Sequence, residues 1–84
     1  MPQVLDHATG TTTTYGTKTA ALAAGRLLAR RLAASRALTG ILEDPRDDGL
    51  LIYGTVQDAT GRIVDLPPLV RVSFPGPTRR PRRG

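Results

Sequence analysis

From Leu69 to Phe74 the chain alternates: Val70, Val72 and Phe74 fall on one side, Arg71 and Ser73 on the other. A period of two marks a strand with one buried face. Two earlier pairs of β-favouring runs read as hairpins: Gln3–Asp6 with Thr11–Tyr15, and Leu50–Gln57 with Arg62–Leu66. The segments joining them, His7-Ala8-Thr9-Gly10 and Asp58-Ala59-Thr60-Gly61, closely match. Each ends in a glycine, which takes the positive φ that closes a hairpin without steric cost. Pro67-Pro68 lacks ladder donors and is expected to break the sheet before the last strand.

Between the hairpins the period changes to that of a helix. Lys18 to about Leu38 is rich in Ala, Leu and Arg, contains no proline, follows Thr17 as a candidate N-cap, and runs into Thr39-Gly40 as a stop. Spacing residues by about 100° gathers Ala21, Ala24, Gly25, Leu28 and Leu32, with Leu27 and Leu38 at the margin. Arg26 and Arg30 lie opposite with Ala33 and Ala37, and Arg31 falls inside the apolar arc, from which it must snorkel outward. Glu43 to Gly49 reads as a solvated acidic loop able to bridge to helix arginines. The expectation is an α+β chain of ββ-α-βββ order, a small antiparallel sheet covered by one amphipathic helix, over residues 1–74. Residues 75–84, rich in Pro and Arg, read as a disordered basic tail.

Composition narrows the chemistry. The chain has 84 residues, no Cys, one His, one Phe, two Tyr and no Trp, so its core must be aliphatic and small. Absent cysteine excludes disulfide and thiolate-zinc scaffolds and is consistent with the cytoplasm. The N-terminal stretch lacks the basic-then-apolar pattern of a secretory signal. No apolar run reaches the roughly 18 residues of a membrane span, so no membrane association is expected. His7 is the sole imidazole. Asp6 points to the opposite face of the same strand, and Ser35 and Ser73 sit in regular structure, so no nucleophile–base array forms. Asp44, Asp47 and Asp48 lack the alternating oxygens and distal Glu of a calcium loop. No Walker or dinucleotide glycine pattern occurs. A non-enzymatic chain with neither cofactor nor metal is the expectation.

Charge is unevenly placed. The helix segment carries Lys18, Arg26, Arg30, Arg31 and Arg36 with no acid, and the tail carries Arg79, Arg80, Arg82 and Arg83. All seven acidic residues lie elsewhere. A one-signed helix and a cationic tail suit a polyanion. Arg26, Arg30, Arg79, Arg80, Arg82 and Arg83 are therefore the candidate contacts to a nucleic-acid backbone. No aromatic pair is placed to stack bases and no second helix forms a helix-turn-helix. The alternative is a protein-interaction or assembly module, such as a small phage- or plasmid-type structural factor or inhibitor. It would self-associate, as a homodimer, through the exposed Thr11–Thr14 edge or the helix.

Thr17-Lys18, Ala21, Ala23-Ala24, Arg26 and Leu28-Ala29-Arg30, then Leu51-Ile52-Tyr53-Gly54, then Asp58 and Gly61-Arg62-Ile63, resemble a family of small bacterial domains of unknown function. That family has a T-K-x-x-A-x-A-A-x-R-x-L-A-R helix, an L-[VI]-x-H-G strand and a D-G-R-I turn. The resemblance spans Tyr15 to Val64. Tyr53 stands where the family has His, extra residues precede Asp58, and the acidic segment is longer. The resemblance implies a strand-helix-strand core and no activity.

Overall fold

The two matching turns close with the same pieces set one residue out of step: the capping aspartate precedes the first matching segment and begins the second. In the first, Asp6 Oδ1 accepts from the Ala8 amide at 2.8 Å, and Gly10 sits at φ +75°. In the second, Asp58 Oδ1 accepts from the Thr60 amide at 2.9 Å, and Gly61 sits at φ +87°. An aspartate that caps the amide two residues on and a glycine in left-handed space define both reversals. The computed structural model describes residues 1–74 and shows an α+β fold: β1 Gln3–Asp6, β2 Thr11–Thr14, α1 Lys18–Ser35, β3 Gly40–Arg46, β4 Gly49–Gln57 and β5 Ile63–Ser73. The five strands form one sheet in the order β2-β1-β5-β4-β3, every neighbouring pair antiparallel. Helix α1 carries the chain from one edge of the sheet to the other.

The order of elements follows the expectation, but two strands arise differently. The expected acidic loop is mostly strand: Glu43 to Arg46 pair with Ile52 to Gly49, leaving only Asp47 and Asp48 in the turn. Charges are tolerated there because β3 is an edge strand, half open to water. Pro67-Pro68 also fails to break the sheet, so the two expected strands flanking it are one. Ile52 stands opposite Val70, Tyr53 opposite Pro68 and Thr55 opposite Asp65, so β5 advances one residue more than β4 at each step. These two bulges absorb the prolines without demanding ladder donors from them.

Helix α1 starts as expected, with Thr17 Oγ1 accepting from the Ala20 amide at 3.1 Å. It stops earlier than expected, at Ser35, because Ala37 turns left-handed at φ +54°. The Leu38 amide then donates to the Ala33 carbonyl at 2.9 Å and the Ala37 amide to Ala34 at 3.3 Å. That pair of bonds is a Schellman ending, here without its usual glycine. Gly40, expected as the stop, begins β3 instead.

The core comprises Val4, Ala21, Ala29, Leu50, Ile52, Leu69, Val70 and Val72, with Leu22, Leu28, Leu32 and Phe74 packed at its margin. The helix buries Ala21, Gly25 and Ala29, a line of small residues at four-residue spacing. A Cβ on Gly25 would lie 2.5 Å from Val72 Cγ2, so glycine sets how closely the helix sits on the sheet. The buried arc is thus rotated toward Ala29, and Ala33 is half-buried rather than outward. The helix packs on β5, β1, β4 and β3. It does not cover the whole sheet, since all four residues of β2 are exposed. A five-stranded sheet is about 20 Å wide and a helix about 10 Å, so one helix cannot span it.

Candidate functional site

Of the arginines expected to meet a polyanion, Arg26 is already engaged. Its Nε donates to Glu43 Oε2 at 2.9 Å and its Nη2 to Oε1 at 3.1 Å, a two-point pair with β3. The hydrogen bond to Glu43, reinforced by its charge, pushes the guanidinium pKa above its ordinary value. Arg30, one turn on, is exposed and has no ion-pair partner among the described residues. Arg31 lies on the other flank of the helix, toward β2. Lys18 sits over the Phe74 ring, 5.3 Å from its centroid. Arg79, Arg80, Arg82 and Arg83 lie outside the described residues. The helix therefore presents its cations on separate flanks, one of them neutralised.

His7 is exposed in the first turn, where its amide donates to the Leu69 carbonyl at 3.0 Å. The Ser35 hydroxyl bonds the Leu32 carbonyl at 3.2 Å. Among the described residues, no three His, Asp or Glu gather as a metal site, and no helix is long and apolar enough to cross a membrane.

A different surface draws several features together. Strand β2 is an edge, and each of its residues is an exposed threonine. The Tyr15 amide donates to the Pro2 carbonyl at 2.8 Å. In an antiparallel pair, main-chain bonding alternates along the strand. With Tyr15 bonded inward, Thr13 and Thr11 also direct their N–H and C=O toward β1. Thr12 and Thr14 direct theirs away from the sheet. Val4 and Asp6 face Thr13 and Thr11, which places those two threonine side chains on the helix side.

There they floor a groove of about 360 Å³ between the sheet edge and α1, walled by Tyr15, Leu27, Leu28 and Arg31. Leu27 is 52% exposed. Asp6 also lines the groove, but one of its carboxylate oxygens holds the Ala8 amide. At the turn end the Thr9 and Thr11 hydroxyls bond each other at 2.9 Å, fixing the floor.

The opposite edge is closed by its side chains. Strand β3 contains Pro45, which has no N–H, and is charged at Glu43, Asp44 and Arg46. Arg46 folds back on Asp44 at 2.7 Å, and Glu43 is held by Arg26. Charges and proline on an edge strand deter pairing. Sequence reasoning identified the threonine run as an exposed edge able to pair. It missed Tyr15, Leu27, Leu28 and Arg31 as walls of one groove, because no periodicity relates them to β2. Compared with known protein families, curated proteins and solved structures, the chain matches none.

Proposed function

We propose that this protein is a non-enzymatic interaction module that accepts an extended strand of a partner along β2. The observation that supports this reading is the outward row at Thr12 and Thr14, on an edge without charge, proline or bulge. Main-chain bonds from such an edge supply affinity, and neighbouring pockets supply choice. The test is a selection of displayed ten-residue random peptides on the full-length chain, counter-screened on Thr12→Pro. That substitution removes one outward donor and leaves the bonds to β1 in place. The expected result is enrichment that disappears on Thr12→Pro, with circular dichroism unchanged. Enrichment indifferent to the substitution overturns the reading.

A second reading is nucleic-acid binding through the phosphate backbone, favoured by one observation: Arg30 and Arg31 are exposed with no ion-pair partner among the described residues. Arg26 enters it only by releasing Glu43. Fluorescence anisotropy of a labelled mixed-sequence duplex tests it. Affinity that falls steeply with salt, and drops on Arg30→Ala, supports backbone contact. Absence of binding at low salt contradicts it.

A further inference from the structure

Resting on the strand-accepting reading, we infer that the ligand is an extended segment of another protein with apolar side chains at alternate positions and an acidic residue beside Arg31, seated in the groove between β2 and α1. An added strand would lie about 4.8 Å beyond β2, with every second side chain on the helix side, about 6.8 Å apart. Those side chains lean over Thr11 and Thr13 toward Leu27 and Leu28. The groove of about 360 Å³ has room for branched or aromatic groups.

The same geometry argues against a second copy as the occupant. A second β2 would bring only threonine methyl and hydroxyl groups to the helix side, leaving the wall at Leu27 and Leu28 uncovered. A four-residue strand pair also buries far less than the roughly 1,200 Å² of a stable interface. Charge adds direction. Arg31 stands on the groove wall, and Asp6 lines the same groove at its turn end, where one carboxylate oxygen holds the Ala8 amide. Neither has an ion-pair partner among the described residues, so the charge preference applies to the position beside Arg31. A carboxylate on the incoming strand therefore meets an available guanidinium, and a lysine there meets a like charge.

The probes are three synthetic eight-residue peptides, fluorescein-labelled: alternating Leu and Thr with one Glu, the same with Lys for Glu, and all Thr. Binding to the full-length chain is read by anisotropy, with oligomeric state followed by sedimentation. The Leu/Glu peptide is expected to bind at least about tenfold more tightly than the all-Thr peptide, the yield of burying one leucine. Arg31→Glu should invert the Glu-over-Lys preference, and Thr12→Pro should abolish binding of all three.

Equal affinity for the Leu/Glu and all-Thr peptides, still lost on Thr12→Pro, overturns the groove while leaving the edge intact. Failure of every peptide on a chain that stays monomeric overturns both. Dimerisation abolished by Thr12→Pro, with no peptide bound, identifies the second copy as the occupant and overturns the inference. If Thr12→Pro does not fold, the charge inversion at Arg31 still decides.

Discussion

At one margin of the sheet β3 carries Glu43, Asp44, Pro45 and Arg46; at the other β2 carries Thr11 to Thr14 and nothing else. Both strands face the same physical problem, a row of unsatisfied N–H and C=O groups that invites another chain. On β3 the problem is solved several times over, by a missing donor, by an Arg46–Asp44 pair and by Glu43 tied to the helix. On β2 none of these devices is used, although the chain evidently has them. The helix deepens the contrast: its Arg26 flank locks onto β3, and its Leu27–Arg31 flank stands back from β2 and leaves a groove. On the proposed reading, the difference separates a structural edge from a binding edge.

The most severe way to break the contrast is at the turn that seats β3. Gly49 has φ +157°, and a Cβ there would run into the Val72 carbonyl of β5. Gly49→Ala should cost about 3 kcal/mol, a large share of a small domain's stability. It should make the chain aggregate through both edges, as urea denaturation and light scattering will show. Next in size, replacing Glu43, Asp44 and Pro45 together by threonine should turn β3 into a second open edge. Self-association should then appear at about tenfold lower concentration in sedimentation, a change of about 1.4 kcal/mol.

Where α1 hands the chain to β3, Ala37 occupies left-handed space that suits glycine. Ala37→Gly should therefore stabilise the fold by about 1 kcal/mol in urea denaturation, without altering peptide binding at β2.

The smallest effect lies away from both edges. Hydrogen bonds from the Thr60 hydroxyl, then from the Arg62 and Thr60 amides, hold the Asp58 carboxyl below its ordinary pKa. With a folded value depressed, its contribution is present above the ordinary aspartate range and is lost as pH falls through the folded value. An NMR titration should place the Asp58 midpoint below that of a free aspartate, and Thr60→Val should raise it. At neutral pH this group leaves both edges unaffected.

How much of this was legible in the chain varied with the kind of signal. The helix start at Thr17, both hairpin turns and the Val70–Val72 face were readable, because each depends on local chemistry or a short period. Strand β3 was not, because its acids resemble a loop until an edge position makes them tolerable. Nor was the continuity of β5, since bulges that rescue prolines are set by the partner strand. The helix ended early through Ala37, a residue with no intrinsic preference for left-handed space. The acidic segment was expected to bridge to helix arginines, and Glu43 does so. That Arg26 is the one taken was not readable, because Glu43 lies seventeen residues away on an element assigned to a loop. The threonine edge was visible in sequence. The direction of its main-chain groups required the register that Tyr15 and Pro2 establish.

The central claim, that β2 offers Thr12 and Thr14 to a partner and keeps Thr11 and Thr13 for β1, is tested most directly by residue-resolved amide hydrogen exchange on the free protein. The account predicts fast exchange at Thr12 and Thr14 and protection at Thr11 and Thr13, with the fast pair becoming protected when the Leu/Glu peptide binds. Protection of all four amides in the free monomer, or the opposite alternation, would contradict it.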